Sequence, residues 1–205
     1  MSPARPTVAV LDYGLGNLRS VARALEHAGA RAVVTGDPGE AGRANALVLP
    51  GVGAFDACMA TVRATGLEDA VRDAVAREVP VFGVCLGMQV LFEGSEEGRE
   101  PGLALLPGRV RRLPDSVKVP HMGWNEVRWT ADHPLVRDVP SGTRFYFVHS
   151  YAPQPDPAVT VGETTYGVTF AAVVAQGAVV ATQFHPEKSG AAGLALYGAF
   201  VKGLP

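Results

Sequence analysis

Apolar positions in the first half of the chain follow two alternating periods. Short continuous apolar runs, which are typical of buried strands, lie at residues 7–12, 32–34, 46–49 and 80–84. Between these runs the apolar residues recur at helical spacing, which predicts helices over residues 18–28, 55–63, 67–77 and 86–92. Asn17 is expected to cap the first helix. Strands that alternate with helices indicate a parallel sheet with helices on both faces.

The second half of the chain has more closely spaced strands. Candidate strands are residues 117–119, 125–129, 143–149, 160–164, 169–175 and 178–184. Several of them alternate polar and apolar residues, which favours antiparallel pairing with one solvated face. Residues 133–136 are predicted to open a short helical turn, and a helix over 190–201 closes the chain, with Leu194, Tyr197 and Val201 on its apolar face. The pattern predicts an α/β fold with a mixed sheet and an antiparallel extension.

Length and composition narrow the class of protein. The chain has 205 residues, 47% hydrophobic and 19% charged, which suits a single domain over residues 1–205 with a sizeable core. A net charge of −2, with no long basic run, argues against nucleic acid as the main partner. No apolar run reaches transmembrane length and residues 1–6 lack a signal-peptide core, so no membrane association is expected. Two cysteines make no disulfide framework, and the cytoplasm is the expected location.

The strongest candidate chemistry is the pattern Gly83-x-Cys85-x-Gly87, between a predicted strand and a predicted helix. This is the layout of a nucleophile elbow with cysteine in place of serine. The two glycines allow neighbouring backbones to approach closely, and the helix N-terminus favours a thiolate. A free cysteine is often only a small buried apolar residue, so the motif needs a base elsewhere in the chain.

A base is offered by His185, which follows a predicted strand, with Glu187 two residues later. A thiol nucleophile needs a group to take its proton, and the imidazole needs a third group to hold its tautomer and orientation. His185 and Glu187 meet both needs. Taken alone they also fit a surface histidine and a solvated turn residue, and only the combination with Cys85 favours a triad.

Glycine-rich turns follow two other predicted strands. Gly51 and Gly53 end the third strand, where free N–H groups can face a developing oxyanion. Gly14 and Gly16 follow the first strand, but the third position of a dinucleotide fingerprint is Arg19, so no nucleotide cofactor is expected. The remaining histidines show no metal-ligand spacing, so no metal is expected; they are His27, His121, His133 and His149.

Six segments together resemble the class I glutamine amidotransferases, and among them the glutaminase subunits that serve a separate cyclase. The segments are residues 12–18, 49–55, 83–89, 121–125, 147–151 and 183–189. The resemblance implies a three-layer, flavodoxin-like fold with a mixed, mostly parallel central sheet, flanking helices and an antiparallel extension. It also implies no cofactor, and the triad positions show no departure from the family.

The resemblance assigns residue roles as well. Cys85 attacks L-glutamine, His185 transfers protons and Glu187 orients His185. Main-chain groups around Gly51, Gly53 and Leu86 form the oxyanion site, and the amino-acid end of glutamine is held by Gln89, Ser150 and Tyr151. Ammonia passes to a (β/α)₈ cyclase subunit in a heterodimer, with an interface at or near Asn17, Trp124, Tyr146 and Lys188. We expect residues 51–53 to be misoriented until a ligand on the partner shifts the population of the loop.

Three other classes stay open at the level of sequence. The first is a related glutaminase, such as that of pyridoxal phosphate synthase or anthranilate synthase, which shares the elbow and the His-Pro-Glu segment. The second is a cysteine peptidase or γ-glutamyl hydrolase that acts alone on an extended substrate. The third is a non-catalytic binding subunit, against which the complete set of Cys85, His185 and Glu187 argues.

Overall fold

A computed structural model describes residues 5–155 and 157–205 of the chain, and within them nine strands form one sheet and two form a second. The strands are β1 Thr7–Leu11, β2 Arg31–Thr35, β3 Ala46–Gly51, β4 Val81–Cys85, β5 Gly108–Arg112, β6 His121–Trp129, β7 Thr143–His149, β8 Tyr151–Pro155, β9 Thr160–Tyr166, β10 Val168–Gln176 and β11 Val179–Thr182. The α-helices are α1 Leu18–His27, α2 Pro38–Ala41, α3 Phe55–Ala64, α4 Leu67–Ala76, α5 Leu86–Gln89 and α6 Gly190–Lys202. Short 3₁₀ turns span Pro157–Val159 and Pro186–Lys188.

The large sheet has the order β2-β1-β3-β4-β11-β10-β9-β6-β7. Its first five strands are parallel, and the pairs from β11 onward are antiparallel. Strands β5 and β8 form a separate antiparallel pair. This is the predicted α/β architecture, a mixed and mostly parallel sheet with an antiparallel extension, and the prediction is confirmed.

The parallel strands are buried on both faces, so their side chains divide between two cores. Val10, Val48 and Phe82 point to the side covered by α1 and α6. Leu11 and Leu49 point to the opposite side, where α3 and α4 pack. Because successive residues of a strand face opposite ways, a run that is apolar throughout requires cover on both sides. The three-layer arrangement follows from those continuous runs.

Several local predictions are wrong. The predicted strand over 117–119 is a turn, because Pro114 and Pro120 flank it and the Val117 N–H bonds to the Pro114 carbonyl at 3.3 Å. The helix predicted over 86–92 ends at Gln89. The side chain of Asn17 makes no capping hydrogen bond to α1. The short turn predicted at residues 133–136 is present, because the Val136 N–H donates to the His133 carbonyl at 3.0 Å, but no helix follows it.

Three elements of the structure, β5, β8 and α2, were not predicted from the sequence. Strand β5 has a single buried side chain, Val110, among charged neighbours, and β8 carries two prolines. Neither has the apolar alternation that predicts a strand, and each exists because it pairs with the other. Helix α2 is only one turn long and is held by Asp37, whose carboxylate accepts from the N–H groups of Gly39 and Glu40. Among the described residues, no helix combines the length and apolarity needed to cross a membrane.

Candidate active site

The elbow places Cys85 at the junction of β4 and α5, at the carboxyl edge of the parallel sheet. Cys85 has φ 55° and ψ −111°, a conformation that residues other than glycine rarely adopt. Such strain is typical of a nucleophile elbow and persists where the surrounding structure holds it. The side chain is 6% exposed, at the start of the first turn of α5. Strand and helix thus present one sulfur atom at the point where they meet.

Glycines make this sharp turn sterically possible. A Cβ on Gly87 would lie 1.8 Å from the Leu49 carbonyl oxygen, and a Cβ on Gly83 would lie 2.8 Å from the Gly87 carbonyl oxygen. On β3, a Cβ on Gly51 would lie 2.6 Å from the Gly87 nitrogen. All three obstacles are backbone atoms, which cannot rotate away as a side chain can. The three glycines therefore allow β3, β4 and α5 to touch.

We expect Gly87→Ala to damage both the fold and the elbow. Overpacking of this kind costs about 3 kcal/mol, which lowers the melting temperature of a domain this size by about 6–12 °C. The matched control is Gly198→Ala, which lies inside α6 with no atom within 4 Å of the added Cβ and should gain about 0.5–1 kcal/mol. Thermal unfolding of both variants checks the prediction, and equal melting temperatures would contradict it.

His185 and Glu187 come together at the 3₁₀ turn that follows β11. His185 Nδ1 lies 2.9 Å from Glu187 Oε1, and the two side chains are 3% and 1% exposed. The turn is tied to β7, because the His185 N–H donates to the Tyr146 carbonyl at 3.0 Å. Ser189 completes the connection, donating to the His185 carbonyl at 2.6 Å and accepting from the Tyr146 N–H at 3.0 Å. The imidazole orientation is therefore set by both its side-chain partner and its backbone.

The electrostatics of His185 favour the charged imidazole. Burial lowers its pKa, but hydrogen bonding and charge from Cys85 and Glu187 raise the pKa more, to about 9. Within the described part of the chain, Nε2 has no hydrogen-bond partner of ordinary geometry, although Cys85 is near enough to raise the pKa of the ring. Nδ1 is committed to Glu187. The free nitrogen is thus the one available for proton transfer at the thiol.

A cavity of about 300 Å³ opens beside the sulfur atom, at the small end of the range for ligand sites. It gathers most of the residues that the sequence singled out: Gly53, Cys85, Leu86, Gln89, Ser150, Tyr151 and His185. Gly51 and Glu187 lie outside the lining, Gly51 packed against α5 and Glu187 behind the imidazole. The predicted residues from four separate segments thus meet around one cavity.

The cavity also has a carboxylate that the sequence reading missed. Glu97 is half-buried in the lining, and its Oε2 accepts the Phe55 N–H at 3.0 Å. Burial raises the pKa of Glu97, the Phe55 N–H lowers it, and Asp56 raises it again, so the net direction is upward. In the sequence Glu97 sits in an acidic, glycine-containing stretch that looks like a solvated loop. Only the packing of that loop against the start of α3 brings Glu97 into the lining of the cavity.

The segment after β3 borders the same cavity. Gly51 pairs with Cys85 in the β3–β4 register, which brings the two turns side by side. Gly53 has φ +101°, and Val52 between the two glycines is 39% exposed although apolar. Tyr13, buried below the segment, donates its hydroxyl to the Pro50 carbonyl. The loop is therefore anchored at Pro50, while its glycine-rich tip faces the cavity.

Next to the cavity lies a patch of exposed aromatic and apolar side chains. Trp124 is 55% exposed, and its ring meets that of Tyr146 at 6.2 Å. Lys188 Nζ lies 5.8 Å from the centre of the Tyr146 ring, and Met122 on the same strand as Trp124 is 63% exposed. Three of the four predicted interface residues thus form one cluster. Asn17 precedes α1, which contacts the 3₁₀ turn carrying Lys188.

Possible metal ligands are not assembled in the part of the chain that the structure describes: no group of three His, Cys, Asp or Glu side chains is arranged to hold an ion. The absence of a metal and of a cofactor stays a prediction.

The other cysteine, Cys58, is buried in α3, where burial raises the pKa of its thiol to about 12. Its environment favours the neutral thiol. Cys85 differs because the imidazole of His185, which favours its charged form, lies beside it.

Comparison with known proteins gives a consistent picture. The family model described as glutamine amidotransferase class-I matches residues 9–200. The chain is 49% identical over 197 residues to the imidazole glycerol phosphate synthase subunit HisH of Dehalococcoides mccartyi, covering 95% of this chain and 96% of the relative. It is 53% identical over 204 residues to the protein of the same name from Halobacterium salinarum, covering 95% and 92%. Among solved structures, PurLQS from Thermotoga maritima has the same fold, with a TM-score of 0.80 at 19% identity over 97% of this chain and 99% of that chain.

Proposed function

Because this chain belongs to the class I glutamine amidotransferases, and within them to the HisH subunits of imidazole glycerol phosphate synthase, we propose that it hydrolyses L-glutamine to supply that synthase with ammonia. The observation that carries the proposal is the site geometry. Cys85 and His185 share one cavity, and Glu187 is hydrogen-bonded to the far side of the imidazole at 2.9 Å. This is the arrangement that nucleophilic catalysis at an amide requires.

In the proposed reaction, His185 holds the proton taken from the Cys85 thiol, as the raised pKa of the imidazole favours, and the Cys85 sulfur attacks the side-chain amide carbon of glutamine. The carbonyl becomes a tetrahedral oxyanion, which the N–H groups of Leu86 and Gly53 stabilise once the loop after β3 is aligned. The amide C–N bond then breaks, and His185 returns its proton to the departing nitrogen to release ammonia. Water, deprotonated by His185, attacks the γ-glutamyl thioester and frees glutamate and the thiol.

Glutamine recognition is assigned to the rest of the lining. Gln89 and the main chain at Ser150 and Tyr151 hold the amino-acid end of the substrate. We add Glu97 to the predicted set, because it lines the same cavity and its carboxylate offers the charge that an ammonium group needs. The substrate amide then reaches the sulfur at one end while its charged groups are held at the other.

We expect Glu97→Gln to raise the KM for glutamine by about tenfold, since a charge-assisted hydrogen bond contributes about 1.5–3 kcal/mol and tenfold corresponds to about 1.4 kcal/mol. The kcat should change little, because Glu97 does not touch the reacting amide. Steady-state glutamate release by the complex gives both constants. The matched control is Glu96→Gln, the exposed neighbour bonded to Arg111 and Arg112 outside the cavity; a similar rise in KM there would contradict the assignment.

The partner is proposed to be the HisF cyclase subunit, in a heterodimer. Ammonia passes to HisF, which converts the nucleotide PRFAR to imidazole glycerol phosphate and AICAR in histidine biosynthesis. The exposed cluster of Trp124, Tyr146 and Lys188, with Asn17, is assigned to the interface, since aromatic residues are enriched in buried interfaces. We also propose that residues 1–205 act as one amidotransferase domain and that the complex works in the cytoplasm.

A three-arm assay tests the function. Glutamate release is measured with the chain alone, with HisF, and with HisF plus its nucleotide ligand, and complex formation is followed by size-exclusion chromatography. We expect a 1:1 complex and strong activity only in the third arm. Equal rates in the first and third arms would contradict the loop hypothesis for residues 51–53. Hydrolysis of peptides without any partner would favour the peptidase alternative.

A further inference from the structure

Two buried histidines lie beside the site without a role in the proposed chemistry. His121 on β6 and His149 on β7 face each other in the strand register. Their side chains are joined, with His121 Nδ1 3.1 Å from His149 Nε2. His121 is stacked between the rings of Phe147 at 4.9 Å and Tyr166 at 4.1 Å, which restricts its rotation. A buried, ordered imidazole pair is costly unless its hydrogen bonds are satisfied.

The neighbours of the pair decide which nitrogens carry protons. His149 Nδ1 lies 2.8 Å from the Tyr151 carbonyl oxygen, which only accepts, so this nitrogen donates. In neutral His149 the other nitrogen, Nε2, then accepts from His121 Nδ1. His121 Nε2 is left as an acceptor, and the Asn125 amide donates to it at 3.4 Å. In each hydrogen bond of this path, from Asn125 through both rings to Tyr151, a donor therefore faces an acceptor.

The pair remains neutral at ordinary pH. Burial lowers the pKa of His121 to about 4. The pKa of His149 is lowered to about 3, mainly by burial and to a smaller extent by the neighbouring His121. The hydrogen bonds require neutral rings, because both nitrogens of a charged imidazole are donors. If His149 were charged, its Nε2 would oppose the His121 Nδ1 donor; if His121 were charged, its Nε2 would oppose the Asn125 amide donor.

The Tyr151 carbonyl at the end of this path is a junction within the active site. It accepts a second hydrogen bond from Gln89 Nε2 at 2.9 Å. Gln89 also donates to Gln183 Oε1 at 3.0 Å, and Gln183 Nε2 lies 3.7 Å from the Cys85 sulfur. Gln89 and Tyr151 both line the cavity. The imidazole pair is therefore hydrogen-bonded to the groups assigned to glutamine binding. Those groups in turn contact the Cys85 sulfur through Gln183.

We propose that His121 and His149 are positioning residues for glutamine binding, which hold the Tyr151 carbonyl and Gln89 in the geometry that accepts the substrate. The inference deepens the proposed function and rests on it. The path begins on β6 beside Met122 and Trp124, the exposed residues of the proposed interface. The path therefore links β6 to the glutamine subsite through hydrogen bonds that do not include the triad.

Three variants in the HisF complex with its nucleotide ligand test the proposal. His149→Phe keeps a ring among the neighbouring aromatic residues and removes the donor to Tyr151; we expect the KM for glutamine to rise about tenfold with kcat within about twofold of wild type. His149→Asn places an amide donor near the former Nδ1 and should return KM to within about threefold of wild type. His121→Phe leaves His149 in place but unpaired and should raise KM about threefold.

The control is His133→Phe, a half-buried histidine beside Pro80, at the opposite end of β4 from Cys85. Its KM should equal that of the wild type. Misfolding lowers the amount of active enzyme and therefore the apparent kcat, but leaves KM unchanged, so KM separates positioning from folding. Unchanged KM in His149→Phe and His121→Phe, or no recovery in His149→Asn, overturns the inference. Absence of glutaminase activity in the wild-type complex would instead overturn the proposed function itself.

Discussion

Replacing Cys85 with alanine is expected to reduce glutamine hydrolysis by at least about 10⁴-fold, because no other group at the elbow can form the thioester. Cys85 and His185 both line the cavity, and Cys85 is near enough to the imidazole to raise its pKa. The fold should survive, since the change removes one atom from a side chain that already borders a cavity. Glutamate release by the chain together with HisF and its nucleotide ligand measures the effect. Residual hydrolysis near the wild-type rate would remove the enzymatic assignment of this site.

Two controls make the Cys85 result specific. Cys58→Ala removes the other cysteine, which is buried in α3, and should retain glutaminase activity despite some loss of stability. An alkylating reagent should likewise modify Cys85 before Cys58, whose raised pKa and burial protect it. The Cys85→Ala complex supplied with ammonium salt should still form the cyclase products. Loss of that ammonia-dependent activity would point to a broken complex.

The second large effect is expected for Glu187→Gln, which keeps the shape of the side chain and removes its charge. Glutamine hydrolysis should fall by up to about 10⁴-fold, the loss seen when the orienting carboxylate of a triad loses its charge. Glu187 lies 2.9 Å from His185 Nδ1 and is almost fully buried, so little solvent screening weakens the interaction. Glu68→Gln is the control, because Glu68 makes its ion pairs with Arg63 and Arg72 away from the cavity.

The pH dependence of Glu187→Gln gives a second readout. The pKa of His185 is raised from 6.5 to about 9, so the charged imidazole persists at neutral pH and is lost as pH rises through 9. Wild-type activity should therefore fall on the alkaline side near pH 9, and the fall should begin at lower pH in the variant. The same sign applies to stability: the contribution of the pair is complete below pH 6.5 and disappears through pH 9. An unshifted alkaline limb would contradict the assigned role of Glu187.

Much of the fold could be predicted because its signals are local. The parallel strands are continuous apolar runs of a few residues, and the helices between them carry one apolar stripe, so each element is identified by its own period. The elbow could be recognised for the same reason: Gly83, Cys85 and Gly87 must lie at fixed spacing to make one sharp turn. Strands β5 and β8 could not be recognised in this way, because their charged residues and prolines show no apolar period. Each is extended because it pairs with the other.

Local patterns in the sequence suffice for the alternation of strands and helices, the elbow, and the residue types that could serve a thiol nucleophile. Which of those residues share a cavity depends on the folded chain, because Cys85 and His185 are separated by a hundred positions and meet through the pairing of β4 with β11. For the same reason, only the structure brings Glu97 into the lining of the cavity and joins His121 to His149 beside it. Their chemistry depends on contacts between distant segments, and residues that make such contacts carry no local period by which they can be recognised.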